Sequence, residues 1–194
     1  MFSIEMMKNL SLTVFIALPL LCIISLNAQC LDSNSLVISW HAFKTPKKTA
    51  VKGTFQSFTI QNLKRKPEKG LRDQVSSLSL TIDPLKFSTG NKARDSNIKK
   101  YFFSGIKQIS LEVTKVTKRW INTTIRLGTK KHRVPFRYHL EKNEIKAYAH
   151  IDLLDFKLSP LLQKLNEACF SMHEGKTWSH VEANISGKIV KCTN

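Results

Sequence analysis

Six histidines, His41, His132, His139, His150, His173 and His180, are the side chains of this sequence best suited to holding a metal or moving a proton. A zinc-binding helix places two histidines four residues apart, so that both imidazoles leave one face. Glu174 does follow His173, but Thr177 stands where the second ligand would have to be. His139 and His150 flank a turn signal, "EKNE" at 141–144, and could meet across it. An ordinary cross-strand polar pair is the far commoner arrangement, and no metal site is expected. The chain has no Gly-Xaa-Ser-Xaa-Gly elbow and no glycine-rich phosphate loop. Arg94 and Asp95 could serve acid–base chemistry, but no nucleophile accompanies them. A carboxylate at the start of a helix is expected to cap it by accepting from free backbone N–H groups, and Asp95 is read that way. No catalytic residue is assigned and no enzyme is expected.

The cysteines and the charge bear on where the chain works. Lys8 precedes an apolar run from Leu10 to Leu26, broken by Pro19 and followed by small residues. This is the pattern of a secretory signal peptide, with cleavage expected after Ala28. The domain organisation is then 1–28, a cleaved signal, and 29–194, one domain of sufficient length to bury a core. Export to an oxidising compartment permits a disulfide, and Cys169 and Cys192 lie well inside the mature chain. The loop between them would stabilise the fold by roughly 3 kcal/mol. Cys30 is a competing partner. It also invites a lipoprotein reading, which Asn27 and Gln29 disfavour. The 31 lysines and arginines stand against 14 aspartates and glutamates, a net charge of +17. That balance favours anionic partners. Export argues against nucleic acid and leaves an anionic membrane surface as the expected one.

Period-two alternation dominates the mature chain. Strands are expected over 36–43, 51–60, 75–83, 108–116, 120–128, 132–140, 145–154 and 180–189. "VSSLSLTID" shows the pattern cleanly, with Leu78, Leu80 and Ile82 on one face and Ser77, Ser79 and Thr81 on the other. Thr123 is assigned to the polar face as well. Two segments break the alternation: "ARDSNIKKYFFSGI" (93–106) and "SPLLQKLNEACFSMH" (159–173). In the second, Leu161, Leu162, Leu165, Cys169 and Met172 recur at helical spacing after Ser159 and Pro160. The expected fold class is all-β, an eight-stranded antiparallel barrel with two short helices, because closure removes exposed strand edges. A sandwich is the competing architecture. Large apolar side chains on the inner face give either a packed core or an apolar tunnel, and the alternation is the same for both.

Several stretches resemble one family. "WHAFKTPKKTAVKGTFQSF" (40–58), "SLSLTIDPLKFSTGNKARDSNIKKYFF" (77–103) and "LQKLNEACFSMHEGKTWSHVEANI" (162–185) are similar to segments of YceI-like proteins. The resemblance implies a lipocalin-like barrel in the bacterial periplasm that binds a polyisoprenoid or similar long-chain amphipathic lipid, with no cofactor beyond such a bound polyisoprenoid or quinone lipid. Arg94 and Asp95 match the family's charged pair; Phe102 and Phe103 match its aromatic pair, so that 93–106 becomes a plug over one barrel mouth. Strand parity adds Trp40, Phe55, Leu78 and Leu80 to Phe102 and Phe103 as expected tunnel contacts. The expected partners are a long-chain lipid and an anionic membrane surface, with the protein a monomer or homodimer. A stress-response or envelope interaction protein acting through its basic exterior is the alternative function.

Overall fold

A computed structural model describes residues 29–65 and 67–192. The expected signal segment, 1–28, lies outside the described residues. The strands are β1 (Gln29–Leu31), β2 (Val37–Lys44), β3 (Thr49–Phe55), β4 (Phe58–Gln61), β5 (Ser79–Ile82), β6 (Phe87–Ser88), β7 (Ile109–Val116), β8 (Trp120–Leu127), β9 (Lys130–Glu141), β10 (Glu144–Asp152) and β11 (Thr177–Lys191). Three helices accompany them: α1 (Leu71–Gln74), α2 (Lys92–Tyr101) and α3 (Ser159–Ala168). Every strand pairing is antiparallel, in the order β4-β5-β7-β8-β9-β10-β11-β2-β3-β6, with β1 on the end of β11.

The fold is a curled antiparallel barrel. Its closure comes from one bent segment. β3 pairs with β2, β4 pairs with β5, and only Gln56 and Ser57 separate them. At the bend, Gln56 N–H donates to the Lys86 carbonyl and Asp83 N–H to the Ser57 carbonyl. The stretch expected as one strand over 51–60 therefore serves both ends of the sheet. The bend divides one expected strand and β1 and β6 are added, which turns eight strands into eleven among the described residues.

The alternation puts the apolar face inside. Ile38 and Trp40 of β2, Leu80 and Ile82 of β5, Ile125 and Leu127 of β8 and Phe136 of β9 are all buried. Thr123 departs from its expected outward position. It lies between Ile121 and Ile125 on the inner face and is buried, its hydroxyl donating to the Val134 carbonyl at 2.7 Å. With its proton so placed, the side chain fills inner-face space as valine would, with its polar atom satisfied.

Trp40 and Gly53 form one opposed pair across β2 and β3. A Cβ on Gly53 would lie 2.2 Å from the Trp40 ring. The indole thus occupies the space a side chain at position 53 would need. Gly53→Ala is expected to push Trp40 off its rotamer and destabilise the protein by about 1–3 kcal/mol. A blue-shifted or red-shifted tryptophan emission together with a lower urea midpoint would check it; an unchanged spectrum and midpoint would count against the pairing.

The two ends of the barrel differ. At one end, β7 and β9 begin and β8 and β10 finish, and α2 and α3 pack together there. At the other, β1 adds to β11, and the Gln74 side chain bridges back to the Leu31 backbone, accepting at 2.6 Å and donating at 3.3 Å. The disulfide joins Cys30 to Cys192 at this second end. Cys169 is a buried free thiol, so the expected Cys169–Cys192 bridge is not formed. The reason is strand length. Between those cysteines runs the whole of β11, 15 residues and roughly 50 Å at the usual rise. β1, by contrast, pairs Cys30 with Val190 and brings its Cα within 5.0 Å of that of Cys192.

Candidate functional site

Beneath the helices the barrel holds a cavity of about 380 Å³. Its lower wall is formed by inward side chains of the strands, among them Ile38, Trp40, Val51, Leu80, Leu111 and Phe136. Its upper wall comes from Ile98 and Asn97 of α2, Leu162 and Leu165 of α3, and the residues following each helix. The opposite end of the barrel is filled. Leu31, Leu71, Val75, Leu78, Val134 and Ile145 are buried there, and none of them lines the cavity. The site is therefore a blind apolar pocket with one mouth, at the helix end.

Of the expected contacts, Trp40, Phe55, Leu80, Phe102 and Phe103 all lie on the cavity wall. Leu78 does not. It shares the parity of Leu80 but precedes β5, below the floor of the pocket, where it packs in the filled end. Phe103 is the centre of an aromatic cluster: ring centroids lie 5.1 Å from Phe87, 5.3 Å from Phe102, 6.0 Å from Phe55 and 6.3 Å from Trp40. These are edge-on arrangements, the favourable geometry for aromatic quadrupoles. The chain places two phenylalanines here because α2 ends at Tyr101 and a short 3-10 turn, Phe103–Gly105, swings both rings inward. Gly105 permits this, since a Cβ there would lie 2.7 Å from Leu161 of α3.

Asp95 does not cap α2 as expected. The cap of α2 is Asn91, whose side chain accepts from the Arg94 N–H at 3.0 Å. Asp95 sits inside the first turn and accepts from the backbone and hydroxyl of Thr89 and the hydroxyl of Ser88. Arg94 Nε donates to the Thr89 hydroxyl at 2.9 Å and Nη2 to its carbonyl at 3.2 Å. Neighbouring side chains thus grip one threonine from two sides and fix the loop that leads from β6 into the helix. Arg94 also reaches the cavity wall.

The mouth carries polar residues that alternation could not indicate. Lys44, Asn91, Asn97, His173 and Thr177 line it beside Met172 and Trp178. His173 Nδ1 meets the Thr177 hydroxyl, which donates to Asn166 Oδ1 at 2.8 Å. Burial, with a smaller contribution from the Lys44 ammonium, holds the imidazole below its ordinary value near 6.5. The unfolded chain then takes up the proton first as the pH drops. Stability from this group is complete above the ordinary value and is lost as the pH falls through the depressed one. Melting temperatures are therefore expected to fall further for the native protein than for His173→Gln between about pH 7 and about pH 5. Equal falls would remove His173 from the account. Asn97 Nδ2 points to Cys169 Sγ at 3.7 Å, linking α2 to the end of α3, and burial pushes the Cys169 thiol up.

Other candidates disperse. His139 lies opposite Lys146 and His150 opposite Glu182, so the two histidines do not face each other. Among the described residues no three metal-ligating side chains come together. The indole N–H of Trp40 is buried without an acceptor, a cost of about 1–3 kcal/mol in an otherwise apolar wall.

A curled antiparallel barrel, blind at one end and opening under two helices into an apolar pocket, is a lipocalin-like architecture. Residues 31–186 match the YceI-like domain, and the chain belongs to that family. Among solved structures it is similar to a polyisoprenoid-binding domain from Saccharophagus degradans implicated in plant cell wall breakdown, with 12% identity and a TM-score of 0.57, covering 86% of this chain and 99% of that one. It is also similar to BcnA of Burkholderia cenocepacia, with 16% identity and a TM-score of 0.56, covering 83% and 99%. At such identities the likeness is one of fold. No curated protein is significantly similar to the chain in sequence.

Proposed function

We propose that this protein is a non-catalytic carrier for a polyisoprenoid or another long-chain amphipathic lipid, exported to the periplasm. The observation that carries the reading is the blind cavity of about 380 Å³ with its apolar wall. Its size lies within the range of small-molecule sites and suits one slender segment of a chain. Each methylene that leaves water contributes about 0.8 kcal/mol, so affinity needs no elaborate polar site. The polyisoprenoid-binding domain of similar fold supports that choice of guest. Export is supported by the Cys30–Cys192 disulfide, which an oxidising compartment sustains. The same bond occupies the Cys30 sulfur and leaves it no lipid anchor to carry.

Native mass spectrometry of protein purified without detergent tests the reading. An adduct with the mass of a prenyl lipid, or uptake of an added prenyl alcohol, is the expected result. A protein that stays empty under both conditions is not a lipid carrier.

A second reading, an envelope or stress-response protein acting through its exterior, draws on the unpaired charge. Lys64 and Lys146 are the only lysines or arginines in ion pairs among the described residues. That reading requires salt-sensitive binding to anionic surfaces which survives truncation of Phe102 and Phe103.

A further inference from the structure

Phe170 and Met172 are 63% and 54% exposed, the two highest values among the exposed large hydrophobic residues of the described chain. Both belong to the turn that follows α3, where a short 3-10 helix spans Ser171–His173. The turn is held firmly. His173 N–H donates to the Cys169 carbonyl and Gly175 N–H to the Phe170 carbonyl, each at 2.9 Å, and the His173 ring is tied to Thr177. The two side chains are therefore presented to solvent by fixed backbone. Met172 is at the same time part of the cavity wall, at the mouth.

Ammonium groups lie at the same rim. Lys44 Nζ donates to the Met172 carbonyl at 3.3 Å. Lys48 and Lys176 lie over the Trp178 ring, 4.5 and 4.7 Å from its centroid, and Trp178 also lines the cavity. The two segments that carry these lysines are fastened together: Thr45 N–H donates to the Lys176 carbonyl at 2.9 Å, and Trp178 Nε1 to the Thr45 carbonyl at 2.8 Å. Among the described residues none of the three lysines has a carboxylate at ion-pair distance. Glu174 is the sole carboxylate in 44–48 and 169–178.

Protruding apolar side chains beside three unpaired cations match the interface of an anionic bilayer, where acyl chains lie just beneath phosphates. We propose that this rim docks the protein onto an anionic lipid bilayer. Phe170 and Met172 enter the interface, Lys44, Lys48 and Lys176 meet the lipid phosphates, and the cavity opens onto the membrane. The purpose of this docking rests on the carrier reading, since a bilayer is where a long-chain guest is taken up or given away. The opposite end of the barrel offers a rival in Trp120, 43% exposed beside Lys118 and Arg119. Leu140 and Val190 protrude at that end as well, 50% and 45% exposed, but all three adjoin the filled end and none lines the cavity.

Cosedimentation with vesicles of equal parts phosphatidylglycerol and phosphatidylcholine, and with phosphatidylcholine alone, decides between them. The native protein is expected to bind the anionic vesicles, less so as salt is raised. Phe170→Ser with Met172→Ser is expected to weaken that binding about tenfold or more. Lys44→Gln with Lys48→Gln and Lys176→Gln is expected to abolish the preference for anionic lipid, whereas Lys118→Gln with Arg119→Gln and Trp120→Ser leaves binding nearly unchanged. Thermal melts confirm folding, and the lysine variant probes the rim independently should the apolar one fail to fold. Mouth variants that bind like the native protein, or loss of binding in the Trp120 variant alone, overturn the proposal. Native mass spectrometry on the same samples reads the cavity separately. A lipid-loaded protein that ignores vesicles ends the docking proposal and spares the carrier; an empty one that docks through the rim does the reverse.

Discussion

Phe103→Ala is expected to destabilise the protein by about 3–5 kcal/mol, the usual cost of deleting a buried phenyl ring. Phe103 is 6% exposed and shares edge-on contacts with four other rings, so the void it leaves cannot be closed by one neighbour. Some of that cost is recovered if the space joins the adjacent cavity and a guest fills it. Urea denaturation measures the loss. Repeating it after saturation with a prenyl alcohol measures the recovery. A change below about 1 kcal/mol would show that the cluster is loosely packed and that the ring merely covers the pocket.

Cys30→Ser with Cys192→Ser is the second large effect. The bond spans 162 positions, and in the chain-entropy model a loop of that size restricts the unfolded chain by about 5 kcal/mol, an upper figure. A loss of several kcal/mol is expected, read from the urea midpoint with and without reductant. Reduction should act on the native protein and leave the double variant unaltered. Cys169→Ser should cost far less, because that thiol is bonded only to Asn97 at long range. Were Cys169→Ser to reproduce the double variant, the pairing described here would be mistaken.

Much of the barrel was legible because strand alternation is a local property. Each of the eight expected strands overlaps an observed one, and both helical interruptions coincide with α2 and α3. What failed depended on where strands end in space. Leu78 and Leu80 have the same parity, but only the tertiary packing says where the pocket floor lies. The disulfide depended on β1, three residues long, whose apolar content is too small to announce a strand; its pairing with β11 is the deciding contact. Asp95 showed the right residue type for a cap one turn too late, and Asn91 would have served as the sequence signal, being the Asx residue three before Arg94. The mouth residues Lys44, Asn97 and His173 come from three separate elements, and no single stretch of sequence groups them.

Gln29 and Cys192 lie side by side at the sealed base, joined by β1, the Gln74 bridge and the disulfide. The pocket opens at the far pole, so a bead, sensor chip or fluorescent label attached through Gln29 or Lys191 leaves the entrance facing the bulk solution. Immobilised protein should therefore accept guests as readily as free protein does, and a probe placed at the lid end is the one that should interfere.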